Sequence, residues 1–246
     1  MKRFRKRFHR PLNMFIFVPK QDGDFFMNTM FDTLLQLPLF QGLSHEDITQ
    51  ILEKVKVQFT QHKPGEVLLS PGDVCDSLVF LLKGEVCVTT SSMDMPYSLV
   101  EHFSAPYLIE FHSLFGMNTS YVSRYVARTD THLLRINKCY LLDVLLHYEI
   151  FRLNCMNILC NRVQTLLQLP WKLKELDIEK RISGFFLSLV ERPAGMKVFR
   201  IKMKDLAVVL NETRSSISRV LNNMEADHLL ELKRGEIVVP AIERLL

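Results

Sequence analysis

In the C-terminal segment KDLAVVLNETRSSISRVLNNMEADHLLELKRGEIVV, Ala207 is followed by Asn211 four residues on, Ile217 ten on and Val220 thirteen on. No other feature constrains the fold as tightly, because each position has a mechanical task in two helices that cross at a tight turn, a helix-turn-helix. Ala207 is small enough for close crossing. Asn211 tolerates the positive φ that the turn wants. Ile217 and Val220 bury one side of the second helix. Its other side carries Arg214, Ser215, Ser216, Ser218 and Arg219. Thr213 is the expected N-cap, and the backbone N–H groups it precedes can meet a phosphate. Leu229 to Leu232 and Ile237 to Val239 are β-prone runs joined across Lys233-Arg234-Gly235-Glu236, as in a hairpin wing. Spacing, turn residue and wing agree on a DNA reader. The competing reading is an ordinary helical hairpin with exposed charges.

The chain has 246 residues, enough for two domains with real cores, and its 48% hydrophobic content supports a globular protein. Its net charge of +4 is concentrated at the start, where Lys2, Arg3, Arg5, Lys6, Arg7 and Arg10 cluster. DNA affinity must then come from local groups elsewhere, such as Lys204 on a phosphate, rather than from a generally basic protein. The first 26 residues fit a signal peptide poorly, since their apolar patch is brief and lacks a small-residue cleavage site. A disordered extension, a true start at Met27 or Met30, and a basic arm touching DNA or membrane are the readings left. Cys75, Cys87, Cys139, Cys155 and Cys160 are scattered without zinc or iron–sulfur spacing, so no metal and no cofactor is expected. Buried thiols in a reducing cytosol account for them, and a cytoplasmic location follows. No apolar run approaches the ~18 residues of a membrane span.

Along the chain, order is expected from Phe31. Ser44 followed by Asp47 resembles a capping box, and Ile48, Ile51, Leu52 and Val55 repeat at helical spacing. From Phe59 to Ile136, short β-prone runs punctuated by Gly65, Pro71-Gly72-Asp73, Gly84, Asp94 and Pro106 predict an antiparallel roll or barrel. Helical period returns from His147 to Gln168, with two apolar stripes. Leu153, Met156, Cys160, Val163 and Leu167 form one; Phe151, Cys155, Leu159 and Leu166 form the other. A surface helix needs only one stripe. The second predicts a parallel partner helix and hence a homodimer, with Phe151, Cys155, Leu159, Val163 and Leu166 at the seam; packing of both stripes within one chain is the alternative. Pro170 and Trp171 should break or hinge the chain. Asp177 to Glu191 then reads as an amphipathic helix burying Ile182, Phe185, Phe186 and Leu189.

This order of parts resembles the catabolite activator and fumarate-nitrate reductase regulator (Crp/Fnr) family. Gly65-Glu66-Val67-Leu68, Pro71-Gly72-Asp73 and the run VFLLKGEVCV look like that family's cyclic-nucleotide-binding roll, and the helix-turn-helix follows in the expected place. The implied fold is α+β: an antiparallel β-roll of the cyclic-nucleotide-binding jelly-roll type, a long dimerisation helix, and a winged helix-turn-helix. The expected divisions are a basic extension at 1–26, a sensor roll at 27–146, the dimer helix at 147–170 and the DNA-binding domain at 171–246. Members that bind cyclic AMP carry Gly-Glu after a late strand of the roll and Arg-Ser for the phosphate. Here Ile109 replaces the Gly before Glu110, and Tyr121-Val122 align where Arg-Ser would stand. Glu110, Tyr121, Val122 and Arg124 are the candidate effector pocket. A buried phosphate without a cation is costly. Arg124 or Arg128 would compensate only after a register shift that changes the face they occupy. Cyclic AMP is therefore not expected as effector, and the effector is unidentified or absent.

The resemblance also implies that Arg214, Ser215 and Arg219 contact base edges, with Thr213, Ser216 and Lys204 on phosphates. Two arginines suit guanine O6 and N7. Ser215 stands where members typically carry Glu, so a different operator is expected. The implied partners are double-stranded DNA, a second copy of the chain and RNA polymerase, with no membrane. A rival reading is an effector- or protein-binding module whose roll carries the function without sequence-specific DNA binding. An enzyme is not expected, since no nucleophile–base motif, zinc spacing or phosphate-gripping loop is present.

Overall fold

The computed structural model describes residues 32–92, 94–172 and 177–246, except for the side chains of 168–172. The basic extension at 1–26, the two alternative starts and Phe31 lie outside the described residues. The first long element, α1 (His45–Lys54), begins with the capping box read from the sequence. The Ser44 hydroxyl accepts from the Asp47 N–H at 3.1 Å, and the Asp47 carboxylate accepts from the Ser44 N–H at 3.0 Å. Two orphan N–H groups are thereby satisfied, and Ile48 and Ile51 turn inward.

The roll consists of β1 (Val57–His62), β2 (Val67–Leu69), β3 (Ser77–Lys83), β4 (Glu85–Ser91), β5 (Tyr97–Ser104), β6 (Tyr107–Ile109), β7 (Ser123–Ala127) and β8 (Thr131–Asn137). One sheet has the order β1-β8-β3-β6. The other runs β2-β7-β4-β5 and continues beyond the roll. All the pairings are antiparallel. The inner faces of the two sheets enclose one core that includes Phe80, Val86, Phe103, Tyr107, Tyr125 and Leu133. At the β3–β4 turn Gly84 has φ 93°, and a Cβ there would come within 2.5 Å of the Asp130 carbonyl oxygen. Only glycine lets the two turns approach so closely.

After α2 (Lys138–Asp143), the long helix α3 (Glu149–Lys172) begins against the roll. It runs through Pro170 and Trp171 instead of breaking there. Proline removes one backbone hydrogen bond from a helix, and the helical backbone continues past it to Lys172. The two apolar stripes also divide differently from expectation. Phe151 and Cys155, assigned to the dimer seam, are buried in the roll core of their own chain. Phe151 meets Phe40 edge-on at 5.3 Å between ring centroids. Burial pushes the Cys155 thiol up to about 12. Asn154 ties the same turn down by donating to the carbonyls of Leu39 and Gln41. Ile150, Leu153, Met156, Leu159, Val163, Leu166 and Leu167 remain exposed.

The C-terminal part contains α4 (Ile178–Leu189), β9 (Lys197–Ile201), α5 (Met203–Val209), α6 (Arg214–Ala226), β10 (Glu231–Lys233) and β11 (Glu236–Val239). Its separate core gathers Ile182, Phe186, Phe199, Leu206, Ile217, Leu221 and Val239. The wing is shifted two residues from the run expected at Leu229 to Leu232: Lys233 pairs with Glu236, leaving Arg234-Gly235 as the turn. Leu230 is drawn into the core. The strand β9 lies between β11 and the roll's β5, so one seven-stranded sheet, β10-β11-β9-β5-β4-β7-β2, spans both parts.

Phe151→Ala should cost about 3–5 kcal/mol of unfolding free energy, the usual range for emptying a buried aromatic site. Urea denaturation checks this; a loss below about 1 kcal/mol would mean that α3 does not pack on its own roll.

Candidate nucleic-acid interface

The first helix of the motif, α5, carries the exposed Lys204 in its first turn and Leu206 and Ala207 on its buried side. The chain then reverses at Asn211, which sits at φ 52°. Asn reaches this left-handed region at low cost because its short amide can bond locally. Thr213 caps α6: its side-chain oxygen accepts from the Ser216 N–H at 3.2 Å. The Thr213 hydroxyl also lies 3.0 Å from the Ser215 hydroxyl and 2.8 Å from the Ser216 hydroxyl. Ile217, Leu221 and Met224 bury the inner side of α6, while Arg214, Ser215 and Arg219 are exposed on the outer side. Thus Thr213, Arg214, Ser215, Ser216 and Arg219 come together at the start of one helix. Lys204 stands on the neighbouring helix.

Sequence reasoning missed what braces this turn. From α4, the Arg181 guanidinium donates to the Glu212 carboxylate at 2.6 Å and to the Leu210 carbonyl. It therefore holds both sides of Asn211. Arg181 lies on the helix expected to bury Ile182 and Phe185, and neither spacing nor composition marks it as a partner of a turn about thirty residues away.

The roll treats its candidate pocket differently. Glu110 is buried at 3% exposure and takes the left-handed conformation at φ 35°, ψ 49°. Its carboxylate accepts from the Val122 N–H at 2.8 Å, the Ser123 N–H at 2.9 Å and the Ser113 hydroxyl at 3.0 Å. These bonds hold a backbone conformation that few side chains adopt. Tyr121 is buried, whereas Val122 and Arg124 point outward with the alternation of β7. The four residues proposed as one pocket are therefore split between two faces, because side chains in a strand alternate. Arg128 is also exposed, 3.5 Å from Glu85. A separate cleft of about 470 Å³ lies at the ends of β1, β3 and β8, lined by Lys56, Asp76, Arg135 and Asn137 among others. Among the described residues, no group of three or more His, Cys, Asp or Glu is placed to hold a metal ion.

A second polar cluster, also missed from the sequence, joins the reader to the roll. Lys197 opens β9 opposite Glu101 of β5, with Nζ 2.9 Å from the carboxylate and exposures of 1% and 3%. The Glu191 N–H reaches the same carboxylate at 3.3 Å, and the Tyr107 hydroxyl donates to Glu191 at 2.6 Å. Burial pushes the Glu101 carboxyl above its ordinary range, against the pull of Lys197. Glu191 is raised by the same cause, against the Tyr107 hydrogen bond and the positive charges of Arg162 and Arg192. Alternation in KVFRI was the available signal: Lys197, Phe199 and Ile201 share the buried face.

Residues 59–148 match the cyclic nucleotide-binding domain, and residues 180–246 match the Crp-like helix-turn-helix domain. Together these two domains, in this order, make the chain a member of the Crp/Fnr family of transcription regulators. No curated protein matches it in sequence. Among solved structures it is similar to the catabolite activator protein of Thermus thermophilus, with 21% identity, 85% of this chain and 96% of that one covered, and a TM-score of 0.47. The c-di-GMP responsive global regulator CLP of Xanthomonas campestris shows 20% identity over 80% of this chain and 99% of its own, with a TM-score of 0.47. DNR of Pseudomonas aeruginosa shows 17% identity over 87% and 95%, with a TM-score of 0.43. No described helix is long and apolar enough to cross a membrane.

Proposed function

We propose that the chain is a homodimeric regulator that binds a specific double-stranded DNA operator, acts on RNA polymerase in the cytoplasm, and does not answer to cyclic AMP. The observation that carries this reading is the exposed outer face of α6, where Arg214, Ser215 and Arg219 stand clear of a fully apolar inner face. A helix so disposed can enter the major groove, with each arginine forming paired hydrogen bonds to a guanine. Thr213, Ser216 and Lys204 then lie near the phosphates. These contacts orient the helix without reading sequence. The family is regulatory and not catalytic, which agrees with a non-enzymatic role.

Homodimerisation is supported by the face of α3 left uncovered by its own roll. Leu159, Val163 and Leu166, three of the five residues expected at the seam, belong to that face together with Ile150, Leu153, Met156 and Leu167. A second copy of the same helix, packed alongside, would remove the stripe from water. Two readers related by a two-fold axis would meet half-sites about 34 Å apart.

Indifference to cyclic AMP is supported by Glu110. The backbone N–H groups of Val122 and Ser123 are donors that could grip an anion, and the chain's own carboxylate already occupies them. Arg124 and Arg128, the arginines of the same stretch, are exposed. Bringing a phosphate in would set it against a buried carboxylate.

Arg214→Ala and Arg219→Ala should each weaken operator binding by roughly 1–3 kcal/mol and relax preference at one base pair, whereas Lys204→Ala should weaken all sequences about equally. Unchanged affinity and unchanged base preference in both arginine variants would refute the reading head. Val163→Asp should drive subunits apart by placing an unpaired charge in the seam. Light scattering that finds the parent protein monomeric at micromolar concentration contradicts the dimer. Cyclic AMP should leave the melting temperature and DNA affinity unchanged, since any ligand bound to the folded state raises its stability by mass action. A saturable thermal shift with tighter operator binding would overturn this part of the reading.

A further inference from the structure

The reader is joined to the roll by a strand pair with a buried charge on each side. The strand β9 pairs with β5 over five residues, from Tyr97 opposite Ile201 to Glu101 opposite Lys197. The middle of this ladder is apolar and permissive: Leu99 faces Phe199, and Val100 faces Val198. Hydrophobic pairs such as these fit several registers nearly as well. The Lys197–Glu101 pair does not. A slip by one residue turns β9 inside out, and a slip by two leaves an ammonium and a carboxylate buried apart. The surroundings reinforce the true register. The Lys197 ammonium lies 5.4 Å from the centroid of the Phe103 ring. Glu101 also receives the Glu191 N–H, while Glu191 accepts from Tyr107 of the roll. Both ends of the linker into β9 are thereby tied to the roll.

We propose that Lys197 and Glu101 are positioning residues that pin the register between sensor roll and DNA reader, and so set the half-site spacing that a dimer accepts. This rests on the reading of the chain as a dimeric DNA binder. The roll carries α3 with its exposed stripe, and β9 carries the reader, so the β5–β9 register fixes how far α6 stands from the seam. A two-residue slip moves β9 by about 7 Å along β5, a distance equal to about two base-pair steps. The reading face of α6 is exposed while the pair is made, so the pinned state is the one that reads. A buried ion pair adds little stability compared with apolar replacements of similar volume, which leaves specification of geometry as its role here.

The test uses the full chain and its selected operator, a duplex with a single half-site, and operators with one or two base pairs added between half-sites. Three variants are compared with the parent: Lys197→Met, Glu101→Gln, and the double variant Glu101→Leu with Lys197→Met. The double variant removes both charges and leaves no uncompensated ion, so it keeps the fold even where the single variants lose it. In the double variant, affinity for the single half-site should equal that of the parent, while affinity for the correctly spaced operator falls about tenfold and discrimination between spacings shrinks. Backbone amides of 197–201 should be slow to exchange in the parent and faster in the double variant. A double variant with parental spacing discrimination and parental amide protection overturns the proposal, as does an equal loss on single and paired half-sites. A parent that binds no duplex defeats the DNA-reading assignment and the spacing role with it; amide exchange then still judges the register pin by itself.

Discussion

The antiparallel pairing of β5 with β9 is the contact that makes one molecule of two cores. On one side lies the roll core around Phe80, Tyr107 and Leu133; on the other, the reader core around Phe186, Phe199 and Ile217. Leu99, on the roll strand β5, belongs to the reader core. Main-chain hydrogen bonds between the two strands satisfy backbone groups that would otherwise form an open sheet edge on each part. Because β9 also pairs with β11, the wing, the reader and the roll share one continuous sheet. A displacement at β5 is carried to the wing through backbone rather than through a flexible tether.

The long helix α3 makes the second connection, and its sequence serves two masters along its length. Its first two turns belong to the roll, where Phe151 and Cys155 are enclosed and Asn154 grips the carbonyls of the preceding segment. On the other side of those turns, from Ile150 and Leu153 onward to Leu167, apolar side chains are left in water. In the same stretch, Arg162 donates to the Val190 carbonyl at the end of α4. The helix is therefore anchored to the roll at one end and touches the end of α4 further on, with the uncovered stripe running alongside both. A partner helix on that stripe would sit beside both connections at once.

Much of the reader was legible because its information is local. Four residues within one short span fix the helix-turn-helix, and Asn211 takes the positive φ that its position predicted. The cap at Thr213 and the capping box at Ser44 are likewise read from neighbours in sequence. Long-range partners were not legible. Helical periodicity reports that a face is apolar and leaves open what covers it, which is why Phe151 and Cys155 were placed at a seam when they belong to the roll. Charged residues are expected at the surface, so the burial of Lys197 and Glu101 ran against the usual rule. The alternation in KVFRI pointed the right way, but only the partner strand explains why a lysine is tolerated there. Glu110 was singled out as a candidate pocket residue. Its real partners, the Val122 and Ser123 amides, depend on a loop closure that no spacing encodes.

The proposed function requires two exposed α6 helices, held at a fixed separation, to read a specific operator. Selection of bound sequences from a random double-stranded DNA pool, using the full chain, tests it most directly. Enrichment of one half-site present twice as an inverted repeat is expected, with centres about 34 Å apart and guanines within each half. A pool that stays random through repeated rounds, or that yields one unrepeated half-site, would contradict it.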